Sequence, residues 1–76
     1  MREAVEKLVR AIVENGDAVE VSERTERSAT IVAVKVAETD MGKIIGREGR
    51  TIKALRAVLH AVSQKRGHRY ILEIVE

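Results

Sequence analysis

Residues 42–52 read Gly42-Lys43-Ile44-Ile45-Gly46-Arg47-Glu48-Gly49-Arg50-Thr51-Ile52, and the fold turns on them. A Gly-x-x-Gly turn, Gly46 to Gly49, stands between two helix-compatible apolar patterns and is surrounded by cations. Neither end of the turn carries a Cβ, so another backbone can approach closely, and glycine reaches dihedrals closed to other residues. A helix starting near Arg50 turns its first amides outward, and free N–H groups at the positive end of a helix dipole attract phosphate. The spacing is not that of a Walker loop, which needs Gly-x-x-x-x-Gly-Lys-Ser/Thr to wrap a nucleotide.

Outward from the turn, Ile52, Leu55, Val58, Leu59 and Val62 make a wide apolar arc, with Lys53, Arg56, His60 and Gln64 projecting from the other side. This predicts a helix from Arg50 to about Lys65, closed by Gly67. Upstream, Thr39-Asp40 is placed to cap a short helix over Met41 to Ile45. Val5, Leu8, Val9, Ile12 and Val13 repeat at helical spacing, so a first helix is expected over about residues 2–14, with Asn15-Gly16 as its stop. Val19 and Val21 alternate with polar residues, and Ile31, Val32, Val34 and Val36 read as a β-branched strand. Strands over 18–25 and 30–37 form an antiparallel hairpin whose turn, lacking Asn-Gly or Asp-Gly, reads as a loose connection near Glu26 to Ala29. Tyr70, Leu72 and Ile74 alternate in a last strand, which the two-helix crossover sets parallel to the strand at 30–37.

At 76 residues there is room for one domain, residues 1–76, with one small core. Apolar residues at 45% and charged residues at 34% are a globular balance. No stretch is apolar enough to span a membrane, and the charged N-terminus lacks a signal-peptide core, so a cytoplasmic location is expected. Without cysteine there are no disulfides or thiolate metal sites. Net charge is only +2, but residues 41–60 set Lys43, Arg47, Arg50, Lys53 and Arg56 against the single acid Glu48, a local +4, which leaves −2 on the remaining 56 residues. The cations therefore form a local anion-binding footprint centred on the glycine turn.

With Ile44, Ile45, Gly46, Arg47, Glu48, Gly49, Arg50, Thr51 and Ile52 in the order apolar-Ile-Gly-x-x-Gly-x-x-apolar, the chain resembles the KH (K homology) family. The likeness covers nearly the whole chain and is nearest to the small stand-alone bacterial KH proteins of the KhpA type. It implies an α+β fold of type II KH order, α-β-β-α-α-β, with three helices on one face of a three-stranded mixed sheet. It also implies non-catalytic binding of single-stranded RNA, about four nucleotides being clamped by the Gly-x-x-Gly backbone. Residues 46–49 then clamp, Arg47 reaches a phosphate, Lys43, Arg50 and Lys53 add attraction, and Ile44, Ile45 and Ile52 line the groove floor. Glu48 departs from the basic or polar loops of many relatives. The likeness further implies an RNA chaperone or post-transcriptional regulator, paired as a homodimer or with a larger KH-containing RNA-binding protein.

Other classes leave their own marks. Tyr70 is the sole residue among Phe, Trp and Tyr, so the stacking platforms of RRM and OB-type binders are missing. Recognition then rests on backbone and aliphatic contact, which predicts weak binding by one module and favours linked pairs. His60 and His68 stand eight apart, without cysteine or a convergent carboxylate pair, so no catalytic residue, metal ligand or cofactor is expected. Lys53, Arg56 and His60 also fit a solvated helix face. Ile71 and Val75 fit a dimer face or the thinly covered back of the sheet. A protein-interaction module, or a single-stranded DNA binder using the same fold without RNA recognition, is the alternative function.

Overall fold

The structure is a computed structural model and describes residues 1–75. Its elements are α1 (Arg2–Ile12), β1 (Glu20–Glu26), β2 (Ala29–Lys35), α2 (Met41–Ile45), α3 (Arg50–Arg66) and β3 (Arg69–Val75). Short 3₁₀ turns lie at Gly16–Ala18, Glu38–Asp40 and Arg47–Gly49. The sheet runs β1-β2-β3, with β1 antiparallel and β3 parallel to the central β2. The α+β order expected from periodicity and from the KH likeness is therefore the order observed. Parallel pairing of β2 with β3 requires a crossover, and α2, the glycine turn and α3 supply it.

Alternation along β2 fixes which face holds the helices. Val32 and Val34 have no accessible surface; Val21 stands opposite Val34 on β1, and Leu72 opposite Val32 on β3. Val5 and Val9 from α1 and Leu55 and Leu59 from α3 pack onto this layer. On the other face Ile31 and Ala33 are buried without a helix above them. Arg24 on β1 reaches across β2 to Glu73 on β3 at 2.7 Å and also holds Glu26 at 3.2 Å, so its side chain spans the strip that Ile31 occupies.

Two local expectations need correction. α1 does not stop at Asn15-Gly16: Val13 already leaves the helix in an extended conformation (φ −88°, ψ 159°), and Gly16 opens a 3₁₀ turn. The amides of Glu14 and Asn15 bond the Asp40 carboxylate, 3.2 and 3.0 Å away, in place of a glycine-terminated helix end. The hairpin is also not loose. Glu26 pairs directly with Ala29, leaving a two-residue turn in which Arg27 takes a left-handed φ of 55°. Glycine or asparagine would normally mark that turn in a sequence, and neither is present.

Candidate functional site

Helix α2 is only five residues long, and its closing bond runs from the Gly46 amide to the Gly42 carbonyl at 2.8 Å. Gly46 then adopts φ 75°, ψ 172°, a region open in practice only to glycine. A Cβ there would stand 2.3 Å from Thr51 Oγ1 and 2.8 Å from the Thr51 amide nitrogen, so sterics and dihedral demand glycine independently. Glu48 (φ 56°) and Gly49 (φ 73°) follow in left-handed conformation, and Gly49 N–H donates to the Gly46 carbonyl at 3.1 Å. Three of the four turn residues thus have positive φ, and α3 leaves the turn at Arg50.

The start of α3 is electrostatically open. Its N-cap, Gly49, has no side chain to offer, no side chain among the described residues caps the first turn, and that turn contains no acid. The helix dipole and the first amides are therefore compensated only by solvent or by a ligand. Arg47, Arg50 and Lys53 are exposed around this end. Arg50 lies 3.9 Å from the Glu48 carboxylate, a loose pair between two side chains that are each more than three-quarters exposed, so it restrains neither strongly.

The remaining expected site residues divide. Lys43 is exposed but pairs with Glu14 at 2.7 Å, which ties α2 to the segment after α1. Ile45 is 42% exposed beside the turn, and Ile52 is half-buried. Ile44 is a correction: its accessibility is 0%, because its side chain faces inward to hold α2 on the core, so it cannot line a groove floor. Thr39-Asp40 does not cap α2 with a side chain either. Asp40, only 1% exposed, instead accepts the Glu14 and Asn15 amides, while Asn15 Nδ2 donates to Thr39 Oγ1 at 3.3 Å. The Asn15 amide bond is the main cause holding the Asp40 carboxyl below its ordinary value; burial opposes this, and the Glu14 amide and the Lys43 charge reinforce it.

A second feature lies where α3 passes the edge strand β3. An open cleft of about 640 Å³ there is walled by Arg56, His60 and Gln64 of α3 and by His68, Arg69 and Tyr70 at the start of β3. The Tyr70 amide donates to Ser63 Oγ at 2.9 Å, so it faces away from β2. Leu72 and Ile74 share its alternation and turn their backbone polar groups to the same unpartnered edge. Sequence reading placed Arg56 and His60 on the cationic side of α3 but could not bring Tyr70 beside them, since that depends on how α3 lies over β3. Among the described residues there is no cluster of His, Cys, Asp or Glu that could hold a metal ion, and no helix long and apolar enough to cross a membrane.

Comparison with known proteins finds similar sequences over nearly the whole chain. The family model describing the KH domain of KhpA/KhpB matches residues 2–74. Among similar proteins, the "RNA-binding protein KhpA" of Caldanaerobacter subterraneus subsp. tengcongensis is 43% identical over 75 residues, covering 99% of this chain and 100% of the relative. That of Clostridium acetobutylicum is 40% identical over 75 residues, with the same coverage of 99% and 100%. That of Aquifex aeolicus is 36% identical over 76 residues, covering 100% of this chain and 96% of the relative.

Proposed function

Because this chain belongs to the KhpA/KhpB KH-domain family, we propose that it binds single-stranded RNA through the backbone of Gly46–Gly49 and the open N-terminus of α3. The family is non-enzymatic. The observation that carries the reading is the start of α3: uncapped by any side chain among the described residues, free of acid in its first turn, and flanked by exposed Arg47, Arg50 and Lys53. A phosphate seated there meets backbone amides, the positive dipole end and three cations together. The Cβ-free ends of the turn let the sugar-phosphate chain lie directly against protein backbone. Ile45 and Ile52 give apolar contact beside it. Lys43, already paired with Glu14, adds long-range attraction more than a direct contact.

The reading extends to a cytoplasmic, single-domain protein working as an RNA chaperone or post-transcriptional regulator within a dimer, with a second copy or with a larger KH-containing RNA-binding protein. Support for pairing is the groove between α1 and α3, where Leu8 and Val58 remain 43% and 48% exposed. Two weak modules held together gain effective concentration without any new contact. Sedimentation of the purified protein should show a species larger than the 8.5 kDa monomer; a strict monomer at all concentrations would leave only a heterologous partner.

The deciding experiment is fluorescence anisotropy of a labelled random single-stranded RNA pool, titrated with wild type and with the Arg47→Asp, Arg50→Asp variant at low and at physiological salt. Wild-type binding should weaken as salt rises, because cations condensed on the strand are released. The variant should lose binding while keeping its helical circular dichroism, since both positions are exposed. Equal binding by both proteins would reduce the interaction to generic charge attraction. No binding by wild type would favour a protein-interaction module, and a preference for DNA the single-stranded DNA alternative.

A further inference from the structure

We propose that Asp40 is a positioning residue for RNA binding: by gripping the segment after α1, it fixes the direction in which α2 enters the glycine turn, and with it the backbone geometry of Gly46–Gly49. Asp40 itself touches no RNA. This rests on the RNA-binding reading above and adds to it a residue outside the contact surface.

A carboxylate taken out of water is costly unless its lone pairs are used, and Asp40 uses both oxygens on different partners. It is 1% exposed; Oδ1 accepts the Glu14 amide at 3.2 Å and Oδ2 the Asn15 amide at 3.0 Å. Apolar packing would fill the same space without preferring a direction, whereas two charge-assisted bonds from separate oxygens fix an orientation. They do so between segments 25 residues apart in the chain. Lys43, one turn further along α2 and on the same side as Asp40, reaches that segment too, through Glu14 at 2.7 Å.

Helix α2 needs that direction from outside. At five residues it spans only about 7.5 Å, little more than one turn. Ile44, with no accessible surface, pins it to the core at one point, about which so short a helix can still pivot. Asp40 supplies a second point at the opposite end. Without it, a tilt of about 20° around Ile44 displaces the Gly46 end by about 1 Å, which is the looseness that a preorganised site does not tolerate. Gly46 has no room to take up that shift toward Thr51, where even a Cβ would overlap the side chain and the amide. The change passes instead into the turn dihedrals, and those dihedrals aim the backbone groups that meet the phosphate.

The test compares wild type with Asp40→Asn, which turns an NH₂ group toward one of the two amides, and with Asp40→Ser, which keeps a single acceptor. Val32→Ala is the control: it opens a void in the middle of β2, outside α2 and the turn. Anisotropy of the labelled random single-stranded RNA pool is read at a temperature where circular dichroism shows the variants folded, and amide NMR spectra are recorded alongside. Both Asp40 variants should bind RNA about tenfold more weakly, with the amides of residues 41–50 displaced and those of residues 31–34 in place. Val32→Ala, although it too melts lower, should bind within about twofold of wild type. Unchanged affinity in folded Asp40 variants, an equal loss in Val32→Ala, or failure of both Asp40 variants to fold would overturn the positioning role and leave the glycine-turn site standing. Absence of binding by wild type would overturn both readings together.

Discussion

Gly46 and Gly49 end the same turn, yet only Gly46 is pinned by its neighbours. A methyl on Gly46 meets Thr51, including its backbone nitrogen at 2.8 Å, whereas one on Gly49 meets nothing closer than 3.9 Å. Gly46→Ala should therefore cost at least about 3 kcal/mol, from forbidden dihedrals plus overlap, while Gly49→Ala should cost about 1–2 kcal/mol for the left-handed backbone alone. Urea midpoints of the two variants check the order; similar losses would mean that Thr51 yields. Glu48 has the opposite disposition, a side-chain residue at φ 56° with its carboxylate in solvent. Glu48→Gly should leave stability unchanged or raise it by up to about 1 kcal/mol, and should tighten RNA binding, because strain and a negative charge leave together. Thermal melts and anisotropy on this variant read the two effects separately. The glycines announced themselves in the sequence by their spacing, whereas nothing marked the left-handed Glu48, because a glutamate gives no sign of the backbone forced on it.

Among the elements, α2 is too short to hold itself, and Asp40 anchors its base to the end of α1. The carboxyl is held below its ordinary value of 3.8, chiefly by the Asn15 amide. A carboxyl depressed on folding contributes fully above its unfolded value and loses that contribution as pH falls through the folded one. The melting temperature of wild type should therefore drop as pH falls below about 4, and Asp40→Asn should melt lower at neutral pH with a shallower acid slope. Identical slopes would place the acid sensitivity elsewhere. The sequence pattern found this aspartate but assigned it to the nearest helix start, since local spacing says nothing about a partner 25 residues away. The same limit hid the Arg27 turn: with no glycine or asparagine at its corner, only the Glu26–Ala29 pairing reveals how tight it is.

For the whole molecule, periodicity was a sufficient guide because the helices bury one clear stripe each and the central strand turns its valines to them. Val32 and Val34 alternate inward, Leu55 and Leu59 recur at helical spacing, and the crossover leaves β3 only one antiparallel-free place beside β2. What periodicity could not supply was relief: the cleft with Tyr70, and the Arg24–Glu73 bridge across the open face, arise from angles between packed elements. A core this small has little reserve. Leu59 is almost fully buried between α3 and the sheet, so Leu59→Ala should cost about 2–5 kcal/mol, against a total of roughly 4–11 kcal/mol for a domain of this size. Chemical denaturation should show the midpoint falling by about a fifth or more. A loss under about 1 kcal/mol would mean that the helix resettles into the void.

The position of β3 carries a consequence for the order of assembly. The β1–β2 hairpin closes over two residues, but β3 joins β2 only after the whole intervening crossover has been gathered in, a slow non-local step. A chain paused with the hairpin alone lacks the wall on which α3 rests. That wall arrives together with the last strand. The bonds that tie the start of that strand, Tyr70 to Ser63 on α3 and His68 to Thr30 on β2, close in the same step, so sheet and helix layer are completed together.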